Sequence, residues 1–333
     1  MLNQSTRWIG ALLLISLIIQ LRNPLSVLLR ALSISLMLFY CATSVAGSIG
    51  IATGSASGNY INIGKDIARL LAASNIPIHI IESNGSLENV AKVLDDDSVH
   101  MGLVQSDVLG YIQASNHKVL KKIPQKIKLM FPLYNEEVHL LARKSIQSIA
   151  DLQNKIVGVG AKGSGTNLTT ELLFEISNVW PQRKVLLDNV EALQSLSSGE
   201  IDALFFVSGY PVSLFENIDS EQFHLVSLDS EMFTPFYTAS RIPANTYPWQ
   251  AAPVNTLAVR AMLMTYDFVD ERCAIASEMV GLIQKNLSWL VQNGHPKWKE
   301  VDLDSRLPQW ERYPCVAQRF ADGRKYELGA AAP

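Results

Sequence analysis

Three short segments of this 333-residue chain concentrate the residue types that hold small anions. They are Thr53-Gly54-Ser55-Ala56-Ser57-Gly58-Asn59-Tyr60, Glu82-Ser83-Asn84-Gly85-Ser86 and Gly160-Ala161-Lys162-Gly163-Ser164-Gly165-Thr166. Glycine lets backbone N–H groups approach a ligand closely, and hydroxyls add donors. Where such a segment opens a helix, the first N–H groups are unpaired and the helix end carries about half a positive charge. Capture of a carboxylate or another small anion is the chemistry that follows. Each loop alone is equally a tight turn with an N-cap, but three in one chain favour binding. Gln105-Ser106-Asp107 is a further polar triplet at a strand end, suited either to touch a ligand or to cap a helix.

Catalysis finds little support in the residues. Ser55, Ser106 and Ser164 lie in no G-x-S-x-G elbow, and no His is placed by sequence to activate them. The six His are scattered, and no Cys/His spacing suits a metal. Gly158-Val159-Gly160-Ala161-Lys162-Gly163 does match G-x-G-x-x-G, with Asp188 downstream. That leaves a nucleotide-dependent enzyme as an alternative, a weak one because a lone match carries little. The P-loop pattern fails, because Ser164 rather than Lys follows Gly163. The expectation is a binding protein, not an enzyme, with no metal and no cofactor.

The elements that position these loops alternate. Strand 48–52, helix 60–74, strand 76–81, helix 87–94 (with Ser86 as its expected N-cap) and strand 100–105 form a βαβαβ unit, which implies a parallel sheet covered by helices. Residues 127–134 and 138–143 are expected as two successive strands. Ser148-Ile149-Ala150-Asp151 is a capping-box-like start. The pattern then restarts: strand 155–159, helix 166–177, strand 184–188, helix 190–196, strand 202–207. This second α/β unit is expected to have its own sheet. Strands 237–242 and 254–263 follow, then one long helix at 270–292 and a tail that packs back on the first unit. The three Gly/Ser loops all sit at carboxyl ends of strands, where open α/β sheets bind ligands.

Composition agrees with export. Residues 1–46 hold Arg7, Arg22 and Arg30, no Asp or Glu, and two apolar runs, 8–21 and 25–41. The second run ends in Ser44-Val45-Ala46, small residues at the positions a signal peptidase requires, so cleavage is expected after Ala46. Retention of the segment as a membrane anchor is the alternative. Residues 47–333 carry 25 basic and 31 acidic residues, a net charge of -6. There is no basic footprint for nucleic acid. Beyond Cys41 the chain has Cys273 and Cys315, which permit at most one internal disulfide.

An ordered run of motifs resembles the TAXI-type solute-binding proteins of tripartite ATP-independent periplasmic (TRAP) transporters. These are Ile51-Ala52-Thr53-Gly54-Ser55 through Tyr60, Asn84-Gly85-Ser86-Leu87-Glu88-Asn89, Gln105-Ser106-Asp107, Tyr134-Asn135-Glu136-Glu137-Val138-His139-Leu140, the 157–166 segment, Phe205-Phe206-Val207-Ser208-Gly209-Tyr210-Pro211 and Ile242-Pro243-Ala244-Asn245-Thr246-Tyr247-Pro248. The chain departs from that family's usual pattern at Asn59, Asn62 and Tyr313–Val316. The resemblance implies an α/β, type II periplasmic-binding-protein fold of two lobes joined by a hinge. Lobe 1 would be residues 47–135 plus 237–333, and lobe 2 residues 136–236. It implies a periplasmic protein that captures a small acidic solute of the glutamate or dicarboxylate class and hands it to membrane subunits. A membrane-tethered sensing module of the same fold is the alternative use. Carried over, Ser55, Tyr60, Asn84, Gln105, Ser106, Gly163, Ser164, Gly165 and Thr166 would line the cleft, with Ser208 and Tyr237 behind.

Overall fold

A computed structural model describes residues 48–320, apart from Ser57, residues 115–119, residues 229–230 and Pro308. The expected export segment, residues 1–46, lies outside the described residues. Helix α1 (Asn59–Ala72) shows how the local pattern works: Tyr60, Ile63, Ile67 and Leu71 recur every three or four residues and all are buried. It lies between the parallel strands β1 (Ile49–Ala52) and β2 (Ile78–Ile81). Helix α2 (Ser86–Asp95) leads to β3 (Met101–Gln105), parallel to β1 on its other side. Every residue of β1 and β3 is buried, as expected of strands covered on both faces.

After α3 (Val108–Ala114) comes β4 (Ile127–Arg143). It is one strand of 17 residues, not the two expected. The polar Asn135-Glu136-Glu137 stretch suggested a break, yet these residues are extended and paired with Arg260, Val259 and Ala258. The chain continues through β5 (Ile156–Gly158), α4 (Gly165–Ser177), β6 (Arg183–Val185), α5 (Asn189–Ser198), β7 (Ala203–Ser208) and β8 (Phe223–Leu225). Strands β9 (Thr238–Ile242) and β10 (Val254–Tyr266) follow. The expected long helix is two, α6 (Glu271–Lys285) and α7 (Leu287–Asn293). Asn286 breaks it: its φ of -114° and ψ of 18° leave the helical region, and its side-chain amide donates to Leu282 O (2.8 Å).

The strands form one sheet in the order β2-β1-β3-β10-β4-β7-β5-β6, with β8 on β4 and β9 on β10. The second α/β unit therefore has no separate sheet. Both units share β4 and β10, whose opposite ends belong to different half-sheets. Two apolar cores flank each half. In the first half, α1, α6, α7, Trp298 and Tyr313 cover one face, and α2, α3 and Trp310 the other. In the second, Val138, Phe174, Phe205 and Phe233 fill one face, and Leu141, Leu196, Phe215 and Tyr247 the other. The C-terminal segment thus packs on the first βαβαβ unit. No helix among the described residues is long and apolar enough to cross a membrane.

Cys273, in the first turn of α6, is joined to Cys315 by a disulfide that closes a separation of 42 residues. Cross-linking a loop of that length removes denatured-state entropy worth about 3–4 kcal/mol. The double substitution Cys273→Ser, Cys315→Ser is expected to lower the unfolding free energy by that amount, measured as a lower urea midpoint than the oxidised wild type. An unchanged midpoint would show that the C-terminal segment is held by packing alone.

Candidate functional site

The strand-to-helix loops meet at one cavity of about 190 Å³, where the two half-sheets face each other. It is lined by Gly54, Ser55, Gly58, Asn59 and Tyr60 from the first loop and by Asn84, Gly85 and Ser86 from the second. Gln105 and Glu136 come from β3 and β4, and Ala161, Ser164, Gly165 and Thr166 from the third loop. The start of α5 (Asp188–Val190) and the end of β7 (Phe206–Ser208) complete it. Of the residues expected from sequence, the structure brings together Ser55, Tyr60, Asn84, Gln105, Ser164, Gly165, Thr166 and Ser208. It does not bring in Ser106, Gly163 or Tyr237.

Those three are used otherwise. Ser106 extends the β3–β10 ladder: its N–H donates to Arg260 O (2.9 Å), and its hydroxyl accepts from Arg260 N (3.1 Å). Gly163 offers its carbonyl to the N–H groups of Leu87 and Glu88 (3.1 and 3.3 Å). Tyr237 donates to Asp107 Oδ2 (3.2 Å) and, with Ser106, lines a second cavity. Ser86 is not the cap of α2 either. Gly85 holds that position with φ +115°, a left-handed conformation open to glycine. The Ser86 hydroxyl instead accepts from Gln105 N (3.0 Å).

Helix ends supply the positive potential. The first turn of α1 has no side-chain cap, and its N-cap Gly58 faces the cavity. At α4, the Ser164 hydroxyl caps Asn167 N (3.0 Å), and Gly165 and Thr166 of the first turn line the cavity. Among the described residues lining it there is no Lys, Arg or His. Asp188, the acid of the G-x-G-x-x-G alternative, caps α5 through Oδ1 to Val190 N and Glu191 N (2.9 Å each).

Sequence reasoning missed Glu136 as a site residue, although its motif was noted. The signal was two adjacent acids inside an otherwise apolar strand. Glu136 is 3% exposed, and its Oε2 accepts from Tyr60 OH (2.7 Å). The Gln105 side chain is its second donor. Burial pushes its carboxyl up to about 8, opposed by those two hydrogen bonds. Its neighbour Glu137 is raised by burial as well; Lys297, itself buried, lies 3.8 Å from it and 2.7 Å from Glu300.

The two halves touch across the cleft. Asn59 Nδ2 donates to Ser208 Oγ and Gly209 O (3.2 Å each). Thr169 Oγ1 donates to Asp107 Oδ2 (2.8 Å), whose carboxyl burial pushes up to about 6. Leu168 of α4 is fully buried in the core of the first half, among Val90, Val104 and Val108.

Residues 51–309 match the NMT1-like family. The chain belongs to that family. Its fold is that of solved binding proteins. The periplasmic binding protein BugD superposes with a TM-score of 0.51 at 11% identity, over 84% of this chain and 95% of that one. MatC from Rhodopseudomonas palustris with bound malate gives 0.50 at 15% identity, over 84% and 97%. Tv2483 bound to L-arginine gives 0.50 at 12%, over 80% and 98%. At these identities the likeness shows the two-lobed fold, and in this NMT1-like chain the cavity lies between the lobes.

Gly165 tests how tightly the lobes approach. A Cβ there would overlap the side-chain amide of Gln105 across the cleft. Gly165→Ala is expected to keep the circular dichroism spectrum of the wild type and to raise the radius of gyration seen by X-ray scattering. An unchanged radius would mean that Gln105 yields instead.

Proposed function

We propose that this NMT1-like chain is the extracytoplasmic solute-binding component of a TRAP-type secondary transporter, of the TAXI type, and not an enzyme. It captures a small carboxylate, glutamate-like or 2-oxoglutarate-like, by lobe closure and delivers it to membrane subunits. The observation that carries this reading is the cavity itself. Loops from both lobes converge on it with the first turns of α1 and α4, hydroxyls and, among the described residues, no basic side chain. A helix N-terminus favours an anion without a countercharged residue. The volume of about 190 Å³ lies below the roughly 300–1,000 Å³ of sites for drug-sized ligands, which fits a small metabolite.

Other features support the same reading. The Cys273–Cys315 disulfide suits an oxidising compartment, in keeping with a periplasmic location and with residues 1–46 as signal peptide or anchor. The proposed division puts lobe 1 at residues 47–135 plus 237–333 and lobe 2 at residues 136–236. Strands β4 and β10 cross between the half-sheets, but Tyr237, Ile242, Tyr247 and Leu257 pack in the second half's cores, which moves the return to lobe 1 from residue 237 to the middle of β10. Closure around the ligand would proceed as a population shift, with binding energy favouring the closed form.

A thermal-shift panel of glutamate, 2-oxoglutarate, succinate, aspartate, malate, arginine and NAD checks the proposal on the purified protein. A ligand at 100 times its Kd stabilises the native state by about 2.7 kcal/mol, a shift of about 5 °C for a chain of this size. Such a shift is expected with one or more of the acidic solutes and not with NAD. A shift with NAD alone, or with arginine alone, would overturn it.

A further inference from the structure

Glu136 is out of keeping with a site built only for anions. It comes from the middle of β4, lines the cavity and is 3% exposed. A carboxylate offers about four lone-pair positions. Tyr60 and Gln105 occupy two of them, from α1 and β3. A ligand bearing negative charge alone would make ionisation of Glu136 in this desolvated space still more costly and could meet it only in its protonated form. A protonated amine would meet it with opposite charge and a charge-assisted hydrogen bond. The helix N-termini and Glu136 together are complementary to a zwitterion.

Resting on the carboxylate-binding reading above, we propose that Glu136 is a specificity-determining residue that receives the ligand's ammonium group. The site thereby selects a small α-amino acid over the keto acid or the unsubstituted dicarboxylic acid of the same length.

The surroundings of Glu136 fix how such a contact would be observed. Tyr60 faces it from α1, Gln105 from β3, Tyr134 and Glu137 from β4, and Lys297 from the 296–300 turn. Lys297, the cation of the group, is engaged by Glu137 and Glu300. With its carboxyl pushed up to about 8, Glu136 holds a proton at pH 7 in the free protein. An arriving ammonium favours the ionised form, so that proton passes to the buffer. Amino-acid affinity therefore rises with pH between about 6 and 8, by up to about tenfold per unit. If Glu136 instead kept its proton and donated it to a ligand oxygen, binding would release none.

Isothermal titration calorimetry of the full chain at pH 7, in two buffers of different ionisation enthalpy, reads both quantities. L-glutamate is expected to bind at least about tenfold more tightly than 2-oxoglutarate and to release about 0.5–1 proton, whereas 2-oxoglutarate releases none. Glu136→Gln is expected to collapse the glutamate to 2-oxoglutarate affinity ratio and to abolish the proton release, while Tyr60→Phe keeps the release. The proton count on wild type needs no variant, so the test stands even if Glu136→Gln fails to fold. Binding of 2-oxoglutarate as tight as that of glutamate, or glutamate binding without proton release, overturns this inference and leaves carboxylate binding intact. Binding of neither acid, nor of succinate, aspartate or malate, overturns carboxylate binding itself and this inference with it.

Discussion

Strands β4 and β10 run antiparallel from the Ile127–Tyr266 pair to the Glu137–Ala258 pair, and the two half-sheets hang on this ladder. Beyond it each strand reaches further into the second half, β4 against β7 and β10 against β9. The ladder is not uniform. Between Arg260↔Asn135 and Met262↔Pro132 the register slips by one residue. Pro132 lacks the N–H a regular ladder needs, and Arg260 Nη1 bonds the Leu133 carbonyl at the slip (3.2 Å). The bulge falls where the two half-sheets join.

That junction also explains why a polar triplet sits inside a buried strand. Asn135, Glu136 and Glu137 occupy the part of β4 between the two apolar cores, where the chain passes the cleft. Glu136 meets Tyr60 and Gln105 there, and Glu137 meets Ser240 and Lys297. Each carboxyl is desolvated and has specific partners, the arrangement that buried acids require. The same stretch of strand is therefore both the link between lobes and a wall of the site.

Contacts across the cleft are modest one by one. Burying Leu168 in the opposite core contributes about 2 kcal/mol. A hydrogen bond such as that from Asn59 to Ser208 contributes about 1 kcal/mol. Sums of this size match the few kcal/mol that separate conformers of a two-state protein. Under the proposed binding role, contacts of this size would leave the open and closed lobes close enough in energy for a small ligand to shift their balance.

The sequence by itself determined the alternation of strands and helices, the three Gly/Ser-rich loop segments and most of the cavity lining. Periodicity of apolar residues and the clustering of Gly and Ser are local signals, and loops at strand ends converge in any sheet of this kind. Tertiary structure decided the rest. It fused residues 127–143 into one strand, because pairing with β10 and β7 overrides the local turn preference of Asn135-Glu136-Glu137. It split the C-terminal helix at Asn286, whose side chain competes for the Leu282 carbonyl. It drew Ser106 into the β3–β10 ladder, turned Tyr237 towards Asp107 and engaged the Gly163 carbonyl with α2. It also put the Glu136 carboxyl in the cavity, since which face of a strand meets a cleft depends on register, and register is set by partners far away in the chain.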